Sequence, residues 1–307
     1  MSIKGKMMHI MLRYRHLFQG KLRREVIDKN TSIEQLRRLA DESAAKLVNF
    51  PEGITFIPAD YDQCYAEWVI SDDADKDKAI LYFHGGGFVM GNARSHRAIV
   101  AGFMQRLGSK ALVFDYSLAP ENPAPAAVND SAAIYGWMLT QGYKPQNIVF
   151  AGDSAGAGVA VGTLIKLKDD SIPLPAVCAL FSPCVDMTMS GESHITRAKA
   201  DPCTPPGMTE TYLSYYVGEG DPEHPYASPL FGNLAGLPPM IIQVGNDETL
   251  RDDSIYLAAR AKKAGVEVKI KVWKGMFHCF PLLAPMFPEA TQALDEVCLF
   301  IKEKLAS

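Results

Sequence analysis

The chain has 307 residues, of which 48% are hydrophobic and 21% are charged, and its formal net charge is −4. A chain of this length can form one large α/β domain or two smaller ones with a sizeable core. The small negative charge gives no reason to expect nucleic acid as a partner, and no apolar run is as long as a membrane span.

The first 24 residues form a basic segment, with seven Lys or Arg and no acidic residue. Apolar side chains recur there at helical spacing, which predicts an amphipathic helix with a stripe of Met7, Ile10, Met11, Tyr14, Leu17 and Phe18. Such a helix can contact a membrane surface or act as a targeting peptide. We favour the alternative, a helix that lies over the body of the protein, and we expect no stable membrane association.

A second amphipathic helix is predicted over residues 31–50, where Ser32 and Gln35 have the spacing of a capping box. From Gly53 onward, short segments rich in β-branched and aromatic residues predict strands. These segments are ITFIPA, CYAEWVI, KAILYFH, ALVFDY, NIVFAG, AVCALFS, MIIQVG and VEVKIKVW. The later ones are nearly continuous apolar runs, typical of a parallel sheet covered on both faces, whereas the first ones alternate and fit an antiparallel edge.

Helices are predicted between the later strands and after the last one, over residues 126–142, 157–168, 252–264 and 289–304. The alternation lapses over residues 183–236, which are rich in Pro and Gly and hold one helix-like piece, PGMTETYLSYYVG. We interpret that stretch as an excursion above the sheet that forms a lid with the N-terminal helices. Residues 1–50 are therefore assigned to an N-terminal helical cap segment. Residues 51–307 form the main domain, of which 183–236 contribute in part to the cap.

The segment GDSAG at residues 152–156 fits the pattern G-x-S-x-G directly after a strand and before a helix. In that context the pattern indicates a nucleophile elbow, with Ser154 exposed on a tight turn. A serine that only caps the helix would explain Ser154 equally well if the motif stood alone.

Three consecutive glycines, Gly85, Gly86 and Gly87, end another predicted strand in YFHGGGFVMG. Without side chains, their N–H groups can approach a ligand closely. In an acyl-transfer enzyme they would stabilise a tetrahedral oxyanion together with the N–H of Ala155. A glycine-rich turn without a ligand is the alternative.

A nucleophilic serine needs a base, and of seven histidines only His278 sits just past a late strand, in VWKGMFHCF. Loops at the carboxyl ends of parallel strands are where sites form in open α/β sheets. A histidine beside aromatic residues is otherwise usually a packing residue. The acid is expected in the loop after MIIQVG, where Asp247 and Glu248 are both candidates, since Asp252 and Asp253 fit the first turn of a helix.

Six cysteines are scattered without a CxxC pair or zinc-like spacing: Cys64, Cys178, Cys184, Cys203, Cys279 and Cys298. No signal peptide with an apolar core is recognisable. We therefore expect free thiols and a cytoplasmic protein.

Several ordered motifs together resemble one family. They are HGGGFVMG, DYSLAPENPAPAAVND, GDSAG, FSPCVDMTMSGES and the stretch from YASPLF to GMFHCF. Over about residues 78–307 the chain resembles the hormone-sensitive-lipase-like family of α/β-hydrolases, and within it the microbial carboxylesterases with a GDSAG elbow. The resemblance implies an α/β-hydrolase fold, with a mostly parallel sheet of about eight strands flanked by helices and covered by a helical cap.

The resemblance also assigns roles. Ser154 matches the nucleophile and His278 the base. The acid of the family lies two residues before a leucine, which from Leu250 leads to Glu248, with the adjacent Asp247 left open. The oxyanion donors correspond to the run Gly85, Gly86 and Gly87, the last two above all, with Ala155.

The implied activity is hydrolysis of short- to medium-chain acyl esters through an acyl-serine, without metal or cofactor. Phe88, Met208 and Tyr212 are candidates for the lining of the substrate pocket. Two positions depart from the family pattern, Ser117 in place of an arginine and Cys184 in place of a tryptophan. Amidase or lactonase activity on the same triad, a non-catalytic small-molecule receptor and a homodimer are left open.

Overall fold

The computed structural model describes residues 1–18, 20–22, 24–44 and 50–306 of the chain. Eight strands form one sheet in the order β1-β2-β4-β3-β5-β6-β7-β8. The strands are β1 Ile54–Pro58, β2 Ala66–Ser71, β3 Ala79–Phe83, β4 Lys110–Phe114, β5 Ile148–Asp153, β6 Val177–Phe181, β7 Met240–Gly245 and β8 Val268–Trp273. All eight predicted strands are thereby confirmed.

The direction of the strands follows their burial. From β4 to β8 all neighbours are parallel, and every residue of β3, β5, β6 and β7 is buried. β2 pairs antiparallel with β4, and β1 pairs antiparallel with β2. β1 mixes half-buried and exposed residues. The antiparallel edge is the one that the alternating first segments predicted.

Ten α-helices accompany this sheet in the described residues. They are α1 Ile3–Arg13, α2 Arg15–Phe18, α3 Ile33–Ala44, α4 Arg97–Leu107, α5 Ala126–Thr140, α6 Ser154–Asp169, α7 Ser193–Thr196, α8 Met208–Val217, α9 Arg251–Lys263 and α10 Pro288–Leu305. Within the described residues, none of these helices combines the length and apolar content that crossing a membrane would require.

Two hydrophobic cores lie on opposite faces of the sheet. Alternate residues of β5 divide between them, because successive side chains of a strand point to opposite faces. Ile148 and Phe150 join the core formed with α5, α6 and α9, whereas Val149 and Ala151 join the one formed with α4 and α10. The central strand is thus covered on both sides.

The second N-terminal helix begins as predicted, because Ser32 Oγ accepts a hydrogen bond from the N–H of Gln35 at 3.1 Å. It is α3, which ends at Ala44, and the predicted continuation over residues 45–49 lies outside the described residues. Arg37 of α3 donates to the carbonyl oxygens of Val89 at 2.6 Å and Ala119 at 2.9 Å. These bonds attach α3 beside the glycine-rich loop.

The basic N-terminal helix lies against the body of the protein, but through a different side from the one the sequence predicted. Gly5 is buried, and Met8 and Leu12 pack against a cluster that contains Phe277. The predicted stripe of Met7, Ile10, Met11, Tyr14, Leu17 and Phe18 is exposed instead. The predicted helix over the body of the protein is present, but its apolar stripe faces outward, because α1 carries apolar residues on two sides.

The start of α6 packs almost directly on the backbone of β3. A Cβ at Gly156 would lie 2.2 Å from the carbonyl oxygen of Phe83 and 2.3 Å from that of His84. Backbone atoms at such a contact cannot rotate away as a flexible side chain can. Gly156 is therefore required for helix and strand to meet.

Gly156→Ala should lower the free energy of unfolding by about 2–4 kcal/mol, because the added methyl overlaps two carbonyl oxygens. The matched control is Gly136→Ala in the interior of α5, where a Cβ meets no atom within 4 Å. That change should raise stability by about 0.5–1 kcal/mol, since alanine favours a helix. Denaturant unfolding of both variants measures this, and equal effects at the two sites would contradict the packing argument.

Candidate active site

Ser154 occupies the joint between β5 and α6, with a φ of 53°. A left-handed conformation is uncommon for serine, costs about 1–3 kcal/mol and is typically retained at functional sites. It directs the hydroxyl toward the loop after β8, where Ser154 Oγ lies 2.9 Å from His278 Nε2. The sequence prediction that these two side chains meet is matched by this geometry.

The other ring nitrogen of His278 faces a carboxylate. His278 Nδ1 lies 3.8 Å from Glu248 Oε1. Both atoms are buried, and neither has a hydrogen-bond partner among the described residues. The two unsatisfied polar atoms therefore face each other. A small movement of the loop that carries His278 would bring them within hydrogen-bond distance.

Glu248 is fully buried and held by its second oxygen. Its Oε2 accepts hydrogen bonds from Ser182 Oγ at 2.9 Å and from the N–H of Gly245 at 3.2 Å. Asp247 is half-buried, and its Oδ1 accepts from Asn246 Nδ2 at 2.9 Å. Of the two candidate acids, Glu248 is the one that faces the histidine.

Burial and charge act in opposite directions on this pair. Burial lowers the pKa of His278, but the neighbouring Cys279 and Glu248 more than offset it, so that the pKa lies well above its ordinary value. Burial raises the pKa of Glu248, although contact with His278 and Ser182 opposes it. Each group therefore favours the charged form of its partner.

The three glycines Gly85, Gly86 and Gly87 differ in whether their N–H groups already donate a hydrogen bond. The N–H of Gly85 donates to Asp153 Oδ1 at 3.1 Å, whereas the N–H groups of Gly86 and Gly87 donate to no acceptor in the described residues. Gly86 and Gly87 have φ values of 132° and 63° and border the same cleft as Ser154. The expectation that Gly85 contributes an oxyanion donor is corrected, because its N–H is already engaged by the carboxylate.

Asp153 joins the elbow to the glycine loop. Its Oδ1 also accepts from Tyr82 Oη at 2.9 Å and lies 3.4 Å from His96 Nε2. Burial raises the pKa of Asp153, but His96 and Tyr82 outweigh it and bring it below the ordinary value. The same contact raises the pKa of His96 against its burial. A buried contact between carboxylate and histidine thus fixes the start of the glycine loop relative to Ser154.

A cleft of about 430 Å³ opens above Ser154. Met208 and Tyr212 line it as predicted, together with Met90 and with Ala40 of α3. Phe88 does not line it. Its backbone has a φ of 66°, and its ring is buried beneath the loop, stacked on Tyr216 with 3.7 Å between ring centroids. The prediction that Phe88 lines the pocket is therefore corrected.

His84, the histidine of the HGGG motif, has a packing function. Its ring stacks on Tyr116 with 4.1 Å between centroids, and its Nδ1 lies 2.9 Å from the carbonyl oxygen of Gly85. Burial lowers the pKa of His84 to about 3, so that the ring stays neutral. In the described part of the chain, no group of three or more His, Cys, Asp or Glu side chains is arranged to hold a metal ion.

Comparison with known proteins agrees with this site. A family model described as alpha/beta hydrolase fold matches residues 80–282. An acetyl-hydrolase of Streptomyces hygroscopicus is 39% identical over 78% of this chain and 80% of its own. The chain belongs to the hormone-sensitive-lipase-like family of α/β-hydrolases.

Solved structures of esterases superpose closely on this family member. A crystal structure of an esterase from the bacterial hormone-sensitive lipase family has a TM-score of 0.90 at 35% identity, over 99% of both chains. A crystal of EstE5 soaked with p-nitrophenyl butyrate gives a TM-score of 0.90 at 38% identity, over 100% of both chains. The resemblance derived from the motifs, and the fold that it implied, are confirmed.

Sequence reasoning missed three residues of this hydrolase site. His96 was not singled out, yet it lies 3.4 Å from the aspartate of GDSAG. Ser182, in the quoted motif FSPC, supports Glu248. Cys279 borders the cleft, and its Sγ lies 3.5 Å from His278 Nε2. The sequence offered three signals for them: the acidic residue directly before Ser154, the FSPC segment among the motifs that carry the resemblance, and the thiol directly after His278.

The two adjacent acids can be told apart by matched amide substitutions. Glu248→Gln keeps an oxygen for Ser182 and Gly245 but removes the charge that faces His278. It should lower kcat by about 10³–10⁴-fold. Asp247→Asn should lower it less than about tenfold, because no contact with His278 is lost. Steady-state ester hydrolysis by both variants is the measurement, and a larger loss for Asp247→Asn would overturn the assignment.

Proposed function

We propose that the protein is a carboxylesterase in which Ser154, His278 and Glu248 form the catalytic triad. The observation that carries the proposal is the left-handed Ser154, whose Oγ lies 2.9 Å from His278 Nε2 in an open cleft. A structural helix cap would need neither the strain nor the histidine. The esterase and acetyl-hydrolase names of the relatives support the same chemistry.

The first half of the reaction acylates the serine. Ser154 Oγ attacks the ester carbonyl carbon while its proton passes to His278 Nε2, and the carbonyl electrons move onto oxygen. The unengaged N–H groups of Gly86 and Gly87, with that of Ala155 at the start of α6, donate to this oxyanion. Collapse of the intermediate expels the alkoxide, which takes the proton back from His278 and leaves as the alcohol.

The second half releases the acid. A water molecule attacks the acyl carbon while His278 Nε2 accepts its proton, and collapse of the second intermediate returns that proton to Ser154. Glu248 stabilises the imidazolium in both halves and holds its Nδ1–H tautomer. No step requires a metal or a cofactor.

The substrates are esters of short to medium acyl chains. The cleft is about 430 Å³ in volume and bordered by the apolar side chains of Met90, Met208 and Tyr212, which fits a compact acyl group. Cleft residues come from α3 and α8, which supports a cap built from residues 1–50 and part of 183–236 over the catalytic domain. The N–H of Ile27 donates to the carbonyl oxygen of Pro206 at 3.0 Å and ties the two cap segments together.

The proposal also covers the cellular setting and the assembly of the protein. The six cysteines are all unpaired, which supports a reducing, cytoplasmic setting. We propose that each cleft is formed within one chain, in a monomer as in a homodimer, because all three triad residues belong to that chain.

Ser154→Ala should lower kcat for p-nitrophenyl acetate by at least about 10⁴-fold, because no nucleophile replaces the hydroxyl. The matched control is Ser214→Ala on α8, whose hydroxyl, among the described residues, donates to Thr211 O alone at 2.8 Å. It should keep the activity of the wild type. If the wild-type protein were as inactive as Ser154→Ala, the result would favour a non-catalytic receptor and contradict the proposed esterase activity.

The pH profile tests the role of the histidine. A protonated imidazole cannot accept the proton of Ser154, so kcat/KM is full above the pKa of His278 and is lost as pH falls through it. Because the Glu248 carboxylate helps to raise that pKa, Glu248→Gln should move the acidic limb to lower pH. Asp247→Asn should leave the limb in place. An unmoved limb in Glu248→Gln would contradict the proposed pair.

A further inference from the structure

The N-terminal segment, residues 1–26, holds most of the exposed large hydrophobic side chains of the described residues. Of the seventeen large hydrophobic side chains that are exposed in the described residues, ten belong to residues 1–26. They are Met1, Ile3, Met7, Ile10, Met11, Tyr14, Leu17, Phe18, Leu22 and Val26. Isolated exposed apolar residues are ordinary, whereas a cluster of this kind marks an interaction surface.

Four of these side chains form a stripe along α1 and its C-terminal cap. Ile3, Met7, Ile10 and Tyr14 recur at intervals of three and four residues, which places them on one side of the helix. The opposite side is the one that packs on the body, through Gly5. We define the outward face of α1 as Ile3, Met7, Ile10, Met11 and Tyr14. These side chains are exposed, although the opposite side of the helix packs on the protein.

Basic side chains border the outward face on both edges. At 3.6 residues per turn, Lys6 and Arg13 follow one edge and Lys4 follows the other. All three are exposed and make no ion pair with the described residues. The first 24 residues contain no acid, while the whole chain is net acidic, so positive charge is concentrated at this surface.

The surrounding guanidinium groups add to this positive field. Arg15 and Arg24 donate to carbonyl oxygens of the segment after α7, Arg15 to Pro202 O at 3.2 Å and Arg24 to Thr204 O at 3.0 Å. Neither bond neutralises a charge. Burial lowers the pKa of Arg24, and the nearby Arg15 and Arg13 lower it further, whereas the carboxylate of Asp201 acts in the opposite direction.

Against the sequence-based expectation of no stable membrane association, we propose that the outward face of α1 docks the esterase reversibly on the surface of a bilayer that contains anionic phospholipids. An apolar face bordered by Lys and Arg is the composition of a helix that lies in the membrane interface, where its apolar side enters the acyl region and its cations contact phosphate groups.

A second copy of the chain fits this surface less well. A twofold contact through the outward face would bring equal faces together and would set Lys4, Lys6 and Arg13 against the same residues of the other copy. Like charges at such a contact repel, whereas anionic headgroups neutralise them. Charge complementarity thus selects the lipid surface.

The docked helix is attached to the loop of the catalytic histidine. His9 of α1 lies 3.2 Å through Nδ1 from the carbonyl oxygen of Gly275, and its ring contacts that of Phe277 at 5.9 Å between centroids. Phe277 directly precedes His278. The docking surface and the cleft are therefore at the same edge of the sheet, where the loops leave the carboxyl ends of the strands.

Vesicle cosedimentation tests the proposal with the full chain. Wild-type protein should sediment at low salt with vesicles of equimolar phosphatidylglycerol and phosphatidylcholine, and should remain in the supernatant with phosphatidylcholine alone. Raising the salt concentration should release it, because the contact is partly electrostatic. Equal binding to both vesicles, or no binding to either, would overturn the proposal.

Two pairs of variants locate the contact. Met7→Ser with Ile10→Ser should weaken the partition onto anionic vesicles by at least about tenfold. The matched control is Leu299→Ser, which removes an apolar side chain of similar exposure from α10. Lys4→Glu with Lys6→Glu should weaken the partition onto anionic vesicles to a similar degree. The matched control is Lys262→Glu with Lys263→Glu, at the distant end of α9.

All variants should hydrolyse soluble p-nitrophenyl acetate like the wild type, since none of these side chains borders the cleft, and this activity shows that they are folded. Binding that survives both α1 variants would overturn the proposal. A wild-type dimer in sedimentation velocity that Met7→Ser with Ile10→Ser dissociates, in a protein that does not bind vesicles, would assign the surface to a second copy instead.

Discussion

The left-handed backbone of Ser154 is the constraint on which the rest of the site depends. A nucleophile can project from the carboxyl end of a parallel strand only if the chain turns sharply between β5 and α6. That turn brings the first turn of α6 onto the backbone of β3, where Gly156 leaves no room for a Cβ. The glycines of GDSAG are thus a consequence of the same turn that exposes the serine hydroxyl.

Two buried pairs of acid and histidine stand on either side of this turn. Glu248 faces His278, which reaches the serine, and Asp153 contacts His96 and the N–H of Gly85. The first pair prepares a proton acceptor. The second fixes the glycine loop, because a buried carboxylate without its partners would be strongly destabilised. In the proposed mechanism Glu248 stabilises the histidine that accepts the proton, whereas Asp153 positions the glycine loop, although both carboxylates are buried beside a histidine.

Much of this arrangement could be predicted from the sequence, because it depends on local signals. Long apolar runs predict parallel strands, and the order of serine, acid and histidine predicts the triad. What could not be predicted depends on tertiary contacts. The ring of Phe88 turns into the core because of its own left-handed backbone. The N–H of Gly85 is engaged by a carboxylate from another strand. The helix α1 has two apolar sides, and periodicity does not tell which of them packs.

The identity of the nucleophile is tested most directly by covalent labelling. The wild-type protein would be incubated with a fluorophosphonate, which reacts preferentially with an activated serine hydroxyl, and the modified peptide would be located by mass spectrometry. The account predicts one adduct per chain, on Ser154, with a labelling rate that falls as His278 becomes protonated. An adduct on another residue, such as the neighbouring thiol of Cys279, or full turnover of esters by a protein that resists labelling, would contradict it.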